Sequence, residues 1–256
     1  MLLEKNIKMI VTDLDGTLLR TDKTISARAK AALIQCRGSG IKVAFATGRG
    51  SSLIQVAPYE LFDGRITQNG AVTVAGEKIT RTYYIPFEVA RPILIELDRH
   101  GLKATSEDRA MHYSNFTLTD VWPPITNFEV VDFSKHNIDA EKINIIIRNR
   151  DDIEYIRSIL PLNLYLTVSN DGIGQVMHID ATKAKAVDGL ARMWGIPQSD
   201  IAAFGDDLND IDMLKYAGAG VAMGNALEEV KMAADCICGA NDDDGVAKWI
   251  EENIML

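Results

Sequence analysis

The sequence predicts an α/β fold: a doubly wound parallel sheet whose two halves are separated in the chain by an inserted α+β unit. Three observations predict it. Short β-rich apolar runs alternate with helix-period segments at the start of the chain and again at its end, the pattern of a parallel sheet covered by helices. The middle changes character, with longer, more polar, alternating strands and only two helices, as in a mostly antiparallel sheet. The apolar runs of the outer parts stop at carboxylates, hydroxyls or glycines, the residue types suited to ligand binding beyond the carboxyl ends of parallel strands. The expected boundaries are 1–82 and 179–256 for the α/β part and 83–178 for the insert.

Taken in order, IKMIVTD is a continuous apolar run of strand length. SARAKAALIQCRGSG follows as a helix, with Ser26 able to cap its start and Gly38 and Gly40 able to end it. IKVAFAT is the next strand, and GRGSSLIQVAPYEL turns into a short helix. In the insert, LKATSE, RAMHYS, EVVDF, KINIIIRN, LYLTVS and GQVMHID read as strands. Helices surround FEVARPILIELDRHG and DDIEYIRSILP, and GIG at 172–174 reads as a hairpin turn. The alternation then resumes with helix KAKAVDGLARMWG, strand DIAAFGD, helix LNDIDMLKYAG, strand AGVAMG, helix ALEEVKMAA and strand DCICG. DGVAKWIEENI closes the chain as a helix.

Composition narrows the function classes. The 256 residues suffice for one large domain or two modest ones, and 47% apolar with 25% charged residues is ordinary for a globular protein. A net charge of -9 and a pI near 5.0 repel phosphate backbones, so nucleic acid is not an expected partner. The first residues carry charges at Glu4, Lys5 and Lys8 and are not expected to be a signal peptide. No apolar run approaches a membrane span. Cys36, Cys236 and Cys238 suggest no disulfide framework, and a reduced, cytoplasmic setting is expected.

The first strand ends in DLDGT. Asp13 and Asp15, two residues apart in an extended segment, point the same way. Two like charges so close raise one pKa unless a cation compensates. The pair therefore asks for a metal, or for work in which one carboxyl holds a proton. AFATGRG puts Thr47 and Gly48 beyond the second strand, where a hydroxyl and backbone N–H groups can cradle a small anion. AAFGDDLNDIDML puts Asp206 beyond another strand, with Asn209 and Asp210 opening a helix. A third carboxylate at the same sheet edge offers oxygen ligands suited to Mg²⁺. Asp207 and Asp212 are expected only to cap the helix and complement its dipole.

DLDGT, ATGR, a Lys opening a helix in TKAKAV, and GDDLND occur in this order, and together they resemble the four motifs of the haloacid dehalogenase superfamily of phosphatases. The insert between the second and third motifs is similar to the type IIB cap of the Cof-type phosphatases, as are QNGAVTV at 68–74 and AGVAMGNA at 219–226. The resemblance implies a Rossmann-like core with an inserted α+β cap, and Mg²⁺-dependent hydrolysis of a small phosphate monoester, a sugar phosphate or cofactor phosphate. It implies that Asp13 is the nucleophile and Asp15 the general acid and base. Mg²⁺ would sit between Asp13, the backbone carbonyl of Asp15 and Asp206. Thr47, Gly48, Lys183 and Asn209 would hold the phosphate, and Asp210 would orient Lys183. Ala184 stands where the subgroup usually has glycine, and Lys185 is expected on the helix surface. The implied partner is a small phosphorylated metabolite, with no nucleic acid or membrane, and the chain a monomer or small homo-oligomer. A phosphomannomutase-like phosphotransferase and a non-catalytic phospholigand sensor are the alternatives.

Other patterns carry less. His100, His112, His136 and His178 lack zinc-like spacing and are expected at a surface or interface. Arg49 either faces the site or lies at the surface. GAGVAMG contains a strand instead of following one, the reverse of a dinucleotide fingerprint. No Gly-x-Ser-x-Gly elbow is present, and no Glu closes an EF-hand loop after Asp13.

Overall fold

The first apolar run forms β1 (Met9–Thr12), whose four residues are fully buried. In the computed structural model, residues 6–50, 57–81, 83–123, 125–168 and 172–254 are described. α1 (Ala27–Gly38) starts where Ser26 accepts a hydrogen bond from the Ala29 N–H and buries Ala29, Ala32, Leu33 and Cys36, one stripe at helical spacing. β2 (Lys42–Ala46) follows. The helix expected after it falls largely outside the described residues, and Tyr59–Leu61 form a 3-10 turn. β3 (Gly64–Thr67), β4 (Val72–Ala75) and β5 (Lys78–Arg81) come next. These three short strands escape sequence reading because none shows a clean alternation of apolar and polar residues.

The chain then builds α2 (Phe87–Arg99), β6 (Ala104–Asp108), β7 (Met111–Ser114), β8 (Phe128–Val130), β9 (Lys142–Ile146), α3 (Arg150–Ile159), β10 (Leu164–Val168) and β11 (Ile173–His178). Ile173 and Gly174 belong to β11, which corrects the turn expected at 172–174; residues 169–171 lie outside the described residues. The last stretch gives α4 (Lys183–Trp194), β12 (Ile201–Gly205), α5 (Ile211–Tyr216), β13 (Ala219–Ala222), α6 (Glu228–Ala233), β14 (Cys236–Ile237) and α7 (Gly245–Asn253). Gly195, at φ 67°, ends α4 in the left-handed conformation that glycine adopts without strain.

Two compact units result. The first holds an eight-stranded sheet ordered β14-β13-β12-β1-β2-β3-β4-β5. Six strands from β14 to β3 run parallel, and β4 turns back antiparallel. β1 is the switch point, with β2 and β3 added on one side and β12 to β14 on the other. Its core joins Met9, Ile10, Val11, Phe45, Leu190, Phe204 and Trp249. The second unit, from Arg81 to Ala181, holds a six-stranded sheet ordered β10-β11-β9-β6-β7-β8. It is antiparallel except for β7 with β8, and its own core joins α2 and α3 to the sheet. No helix among the described residues is long and apolar enough to cross a membrane.

Candidate active site

β1 and β12 pair in register, and Asp13 N–H continues the ladder to the Phe204 carbonyl. That pairing sets Asp13 and Asp206, the residues just past the two strand ends, beside each other. One carboxylate oxygen each from Asp13, Asp206 and Asp210 lies within 4.8 Å of the others. Lys183, first residue of α4, is almost wholly buried, and its Nζ donates to Asp13 Oδ1 and to Asp210 Oδ1 at 2.6 Å each. Thr182 caps α4 by accepting from the Lys185 N–H at 3.3 Å, which fixes where Lys183 leaves the backbone. Lys185 is exposed.

Asp210 has little left to offer a metal. Its Oδ1 takes Lys183, and its Oδ2 accepts from the backbone N–H groups of Asp206 and Asp207. It closes a capping box with Asp207, which is the capping role expected of Asp207. The oxygens that could serve a metal are therefore chiefly those of Asp13 and Asp206. Thr17 hydroxyl donates to Asp206 Oδ1 at 2.7 Å and leaves Oδ2 open to other partners. The tightness of this corner explains two glycines. A Cβ on Gly16 (φ +75°) would stand 2.3 Å from Asp206 Oδ2, and one on Gly205 would stand 2.4 Å from Asp210 Cβ.

Three carboxylates and one ammonium give this corner a charge of -2. Burial pushes the Asp206 carboxyl up to about 6, with Asp210 adding to the rise and Thr17 opposing it. Burial likewise raises Asp13 above the ordinary carboxylate range, against the pull of Lys183. Lys183 moves up as well: burial opposes its charge, but Asp13 and Asp210 outweigh burial and hold it as the ammonium. Both directions express one imbalance, a single cation shared among too many buried anions. A divalent cation cancels that excess, so the donor set fits Mg²⁺ and its preference for a few carboxylate oxygens.

Asp15 is placed differently from its neighbour. Its half-buried carboxylate is gripped by the guanidinium of Arg49 and by Lys23 Nζ at 2.8 Å. Burial would raise its pKa, yet the hydrogen bonds from Arg49 and Lys23 hold it below the ordinary carboxylate range. Arg49 thus faces the site. Thr47 is buried beyond β2, and its Oγ1 accepts from the Arg49 N–H at 3.2 Å. Asn209 donates to Asn69 Oδ1 at 3.0 Å, and Gly48 lies against both side chains. Thr47, Gly48, Asn69 and Asn209 thereby form a second, polar corner of the same sheet edge.

Sequence reasoning assigned no role to Thr17, Lys23, Asn69 and Asn225. Thr17 stood in DGT, and Asn69 in QNG, where φ values of 52° and 51° at Gln68 and Asn69 bend the chain sharply. Asn225 donates to the Gly16 carbonyl and accepts from Asn241 N–H, bracing the loop after β1. Of the histidines expected at a surface or interface, His112 and His136 are buried and so not at the open surface; His100 is exposed and His178 half-buried.

Residues 10–250 match the model of the haloacid dehalogenase-like hydrolases. The chain belongs to that family. It is 28% identical to the 5-amino-6-(5-phospho-D-ribitylamino)uracil phosphatase YitU of Bacillus subtilis, over 97% of this chain and 98% of the relative. It is 31% identical to the phosphatase YcsE of the same organism, named for the same compound, over 98% and 97%. Among solved structures it is similar to the subclass IIB sugar phosphatase BT4131, with a TM-score of 0.82, 26% identity and coverage of 97% and 100%. Within the family the chain is a phosphatase of the Cof type.

Proposed function

We propose that this phosphatase hydrolyses a small phosphate monoester, of the sugar-phosphate or cofactor-phosphate class, through an aspartyl phosphate on Asp13. The observation that carries the reading is the buried Asp13 carboxylate held 2.6 Å from the Lys183 ammonium, beside Asp206 at the switch point of the sheet. A phosphate dianion repels a carboxylate, and only a site rich in positive charge lets the two meet. Asp13, Asp206 and the Asp15 carbonyl would hold Mg²⁺, which would supply the charge that Lys183 alone lacks. In the first step an Asp13 oxygen attacks phosphorus, and the bond to the ester oxygen breaks as Asp15 gives that oxygen a proton. In the second, Asp15 takes a proton from water as the water attacks phosphorus. Orthophosphate leaves and the Asp13 carboxylate returns.

Lys183, Thr47, the Gly48 N–H and Asn209 hold the phosphate oxygens in this reading, and Asp210 orients Lys183. Proton transfer by Asp15 requires its pairs with Arg49 and Lys23 to part, and an incoming dianion competes for both cations. The relatives' names support putting 5-amino-6-(5-phospho-D-ribitylamino)uracil in the first panel of compounds. The test is phosphate release from that compound, sugar phosphates, nucleotides, pyridoxal phosphate and an aryl phosphate, with and without Mg²⁺. Mg²⁺-dependent release that Asp13→Asn lowers by at least about a thousandfold is expected. Undiminished release by a folded Asp13→Asn protein overturns the assignment.

A further inference from the structure

β14, at one edge of the eight-stranded sheet, reads Cys-Ile, and a second cysteine follows it. Its parallel pairing with β13 sets Val221 level with Cys236 and Ala222 level with Ile237. The Cys238 N–H continues the ladder to the Ala222 carbonyl at 2.9 Å, so Met223 comes level with Cys238. Strand alternation puts Cys236, Cys238 and Met223 on one face and Ile237 on the other. Ile237 is exposed, the two cysteines are half-buried and Met223 is fully buried. Three sulfur-bearing side chains thus share one face at the sheet edge, and Cys238 Sγ stands 3.5 Å from Met223 Sδ.

The backbone that carries this group is tied on both sides. The Gly224 N–H donates to the Gly239 carbonyl at 3.2 Å, and the Asn241 N–H to Asn225 Oδ1 at 3.0 Å, so the segments after β13 and β14 are held together. No disulfide does this work, since none of the three cysteines of the chain is in one. Burial pushes the Cys238 thiol up to about 12, and the nearness of Cys236 adds to the rise. A thiol so raised is a poor nucleophile, which sets covalent or redox catalysis aside for this pair. The chemistry left to two thiols beside a thioether is ligation.

We propose that Cys236, Cys238 and Met223 form a binding site for a soft monovalent metal ion of the Cu(I) class. Thiolates and thioethers are the donors that such an ion selects, and two or three sulfurs complete its coordination. Sulfurs 3.5 Å apart can share an ion at about 2.3 Å, an ordinary metal–thiolate bond length. A structural Zn²⁺ asks for four ligands from cysteine, histidine and carboxylates. Among the described residues, Asp13, Asp206 and Asp210 are the only group of three or more such side chains close enough to hold an ion, so the sulfur cluster does not supply a zinc set. Mg²⁺ takes oxygen ligands and has none here to prefer. On binding, the two S–H bonds break, their protons pass to solvent, and the sulfur electron pairs bond the ion. Copper keeps its oxidation state throughout. The proposal does not depend on the phosphatase reading.

The test is competition for Cu(I) between the full-length protein, reduced and free of oxygen, and the chromophoric chelator bicinchoninate, with Mg²⁺ present. The protein is expected to withdraw a single Cu(I) per chain. Cys236→Ser and Cys238→Ser should each weaken its hold at least about tenfold, and Met223→Leu, which conserves volume, about tenfold, whereas Cys36→Ala should leave it unchanged. Melting temperatures show whether each variant is folded, and Cys238→Ala stands in for Cys238→Ser if the serine protein is not. X-ray absorption at the copper edge should show sulfur neighbours at about 2.3 Å. No copper withdrawn from the chelator overturns the proposal, as does copper held equally well after both Cys236 and Cys238 are replaced. Copper lost with Cys36 instead, or a spectrum with only nitrogen or oxygen neighbours, overturns it too.

Discussion

Asp13 and Asp15 stand two residues apart and live in different electrostatic worlds. Asp13 shares one buried ammonium with Asp210, whereas Asp15 has two cations of its own in Arg49 and Lys23. Spacing alone could not tell them apart. The pair's surroundings also set how the protein responds to metal and pH. The Asp206 carboxyl is raised to about 6, so the metal-free fold binds a proton there more readily than the unfolded chain does. That contribution to stability is fully present below the ordinary value of 3.8 and is lost as pH rises through about 6. Mg²⁺ competes with this proton. Melting scans should therefore show a larger rise in Tm on adding Mg²⁺ at pH 8 than at pH 5. Gly16→Ala is the steric counterpart. With a Cβ 2.3 Å from Asp206 Oδ2 and φ at +75°, the alanine protein should lose activity at least a hundredfold and bind Mg²⁺ more weakly, measurable by phosphate release against Mg²⁺ concentration.

At the scale of elements, the site is made by ends. β1, β2 and β12 each stop at the same edge, and α4 begins there. A helix end left uncapped loses one of its few side-chain acceptors. Thr182→Ala should cost about 1 kcal/mol, read as a lower urea midpoint with the slope unchanged. Activity should fall with it, since the first turn of α4 carries Lys183. The strand ends and the helix that Ser26 caps were legible in the sequence because apolar runs and a capping serine are local signals. β3, β4 and β5 were not, because four-residue strands beside a sheet edge are specified by their neighbours and not by their own pattern.

At the scale of the molecule, two hydrophobic cores are built from different stretches of chain. Each core is large enough to melt on its own terms. Scanning calorimetry should resolve two transitions, or a calorimetric enthalpy above the van't Hoff value. Mg²⁺ should move only the transition of the unit that contains Asp13, because a ligand stabilises the structure that binds it. A single two-state transition shifted as a whole would contradict this.

The sequence by itself determined the α/β class and, β3 to β5 apart, most of the order of strands and helices, and it pointed to four stretches for the candidate site. These rest on local chemistry: apolar runs bury, glycines and capping residues punctuate, and carboxylates do not end a buried strand without a partner. Only the tertiary structure decided how the drawn residues pair. Register set Asp206 beside Asp13, α4 brought Lys183 between Asp13 and Asp210, and the loop after β2 turned Arg49 onto Asp15. It also buried His112, which the sequence left to a surface or interface, in a polar sheet face. Those outcomes depend on contacts between residues far apart in the chain, 170 positions for Asp13 and Lys183, and no local pattern encodes which charge will lie next to which.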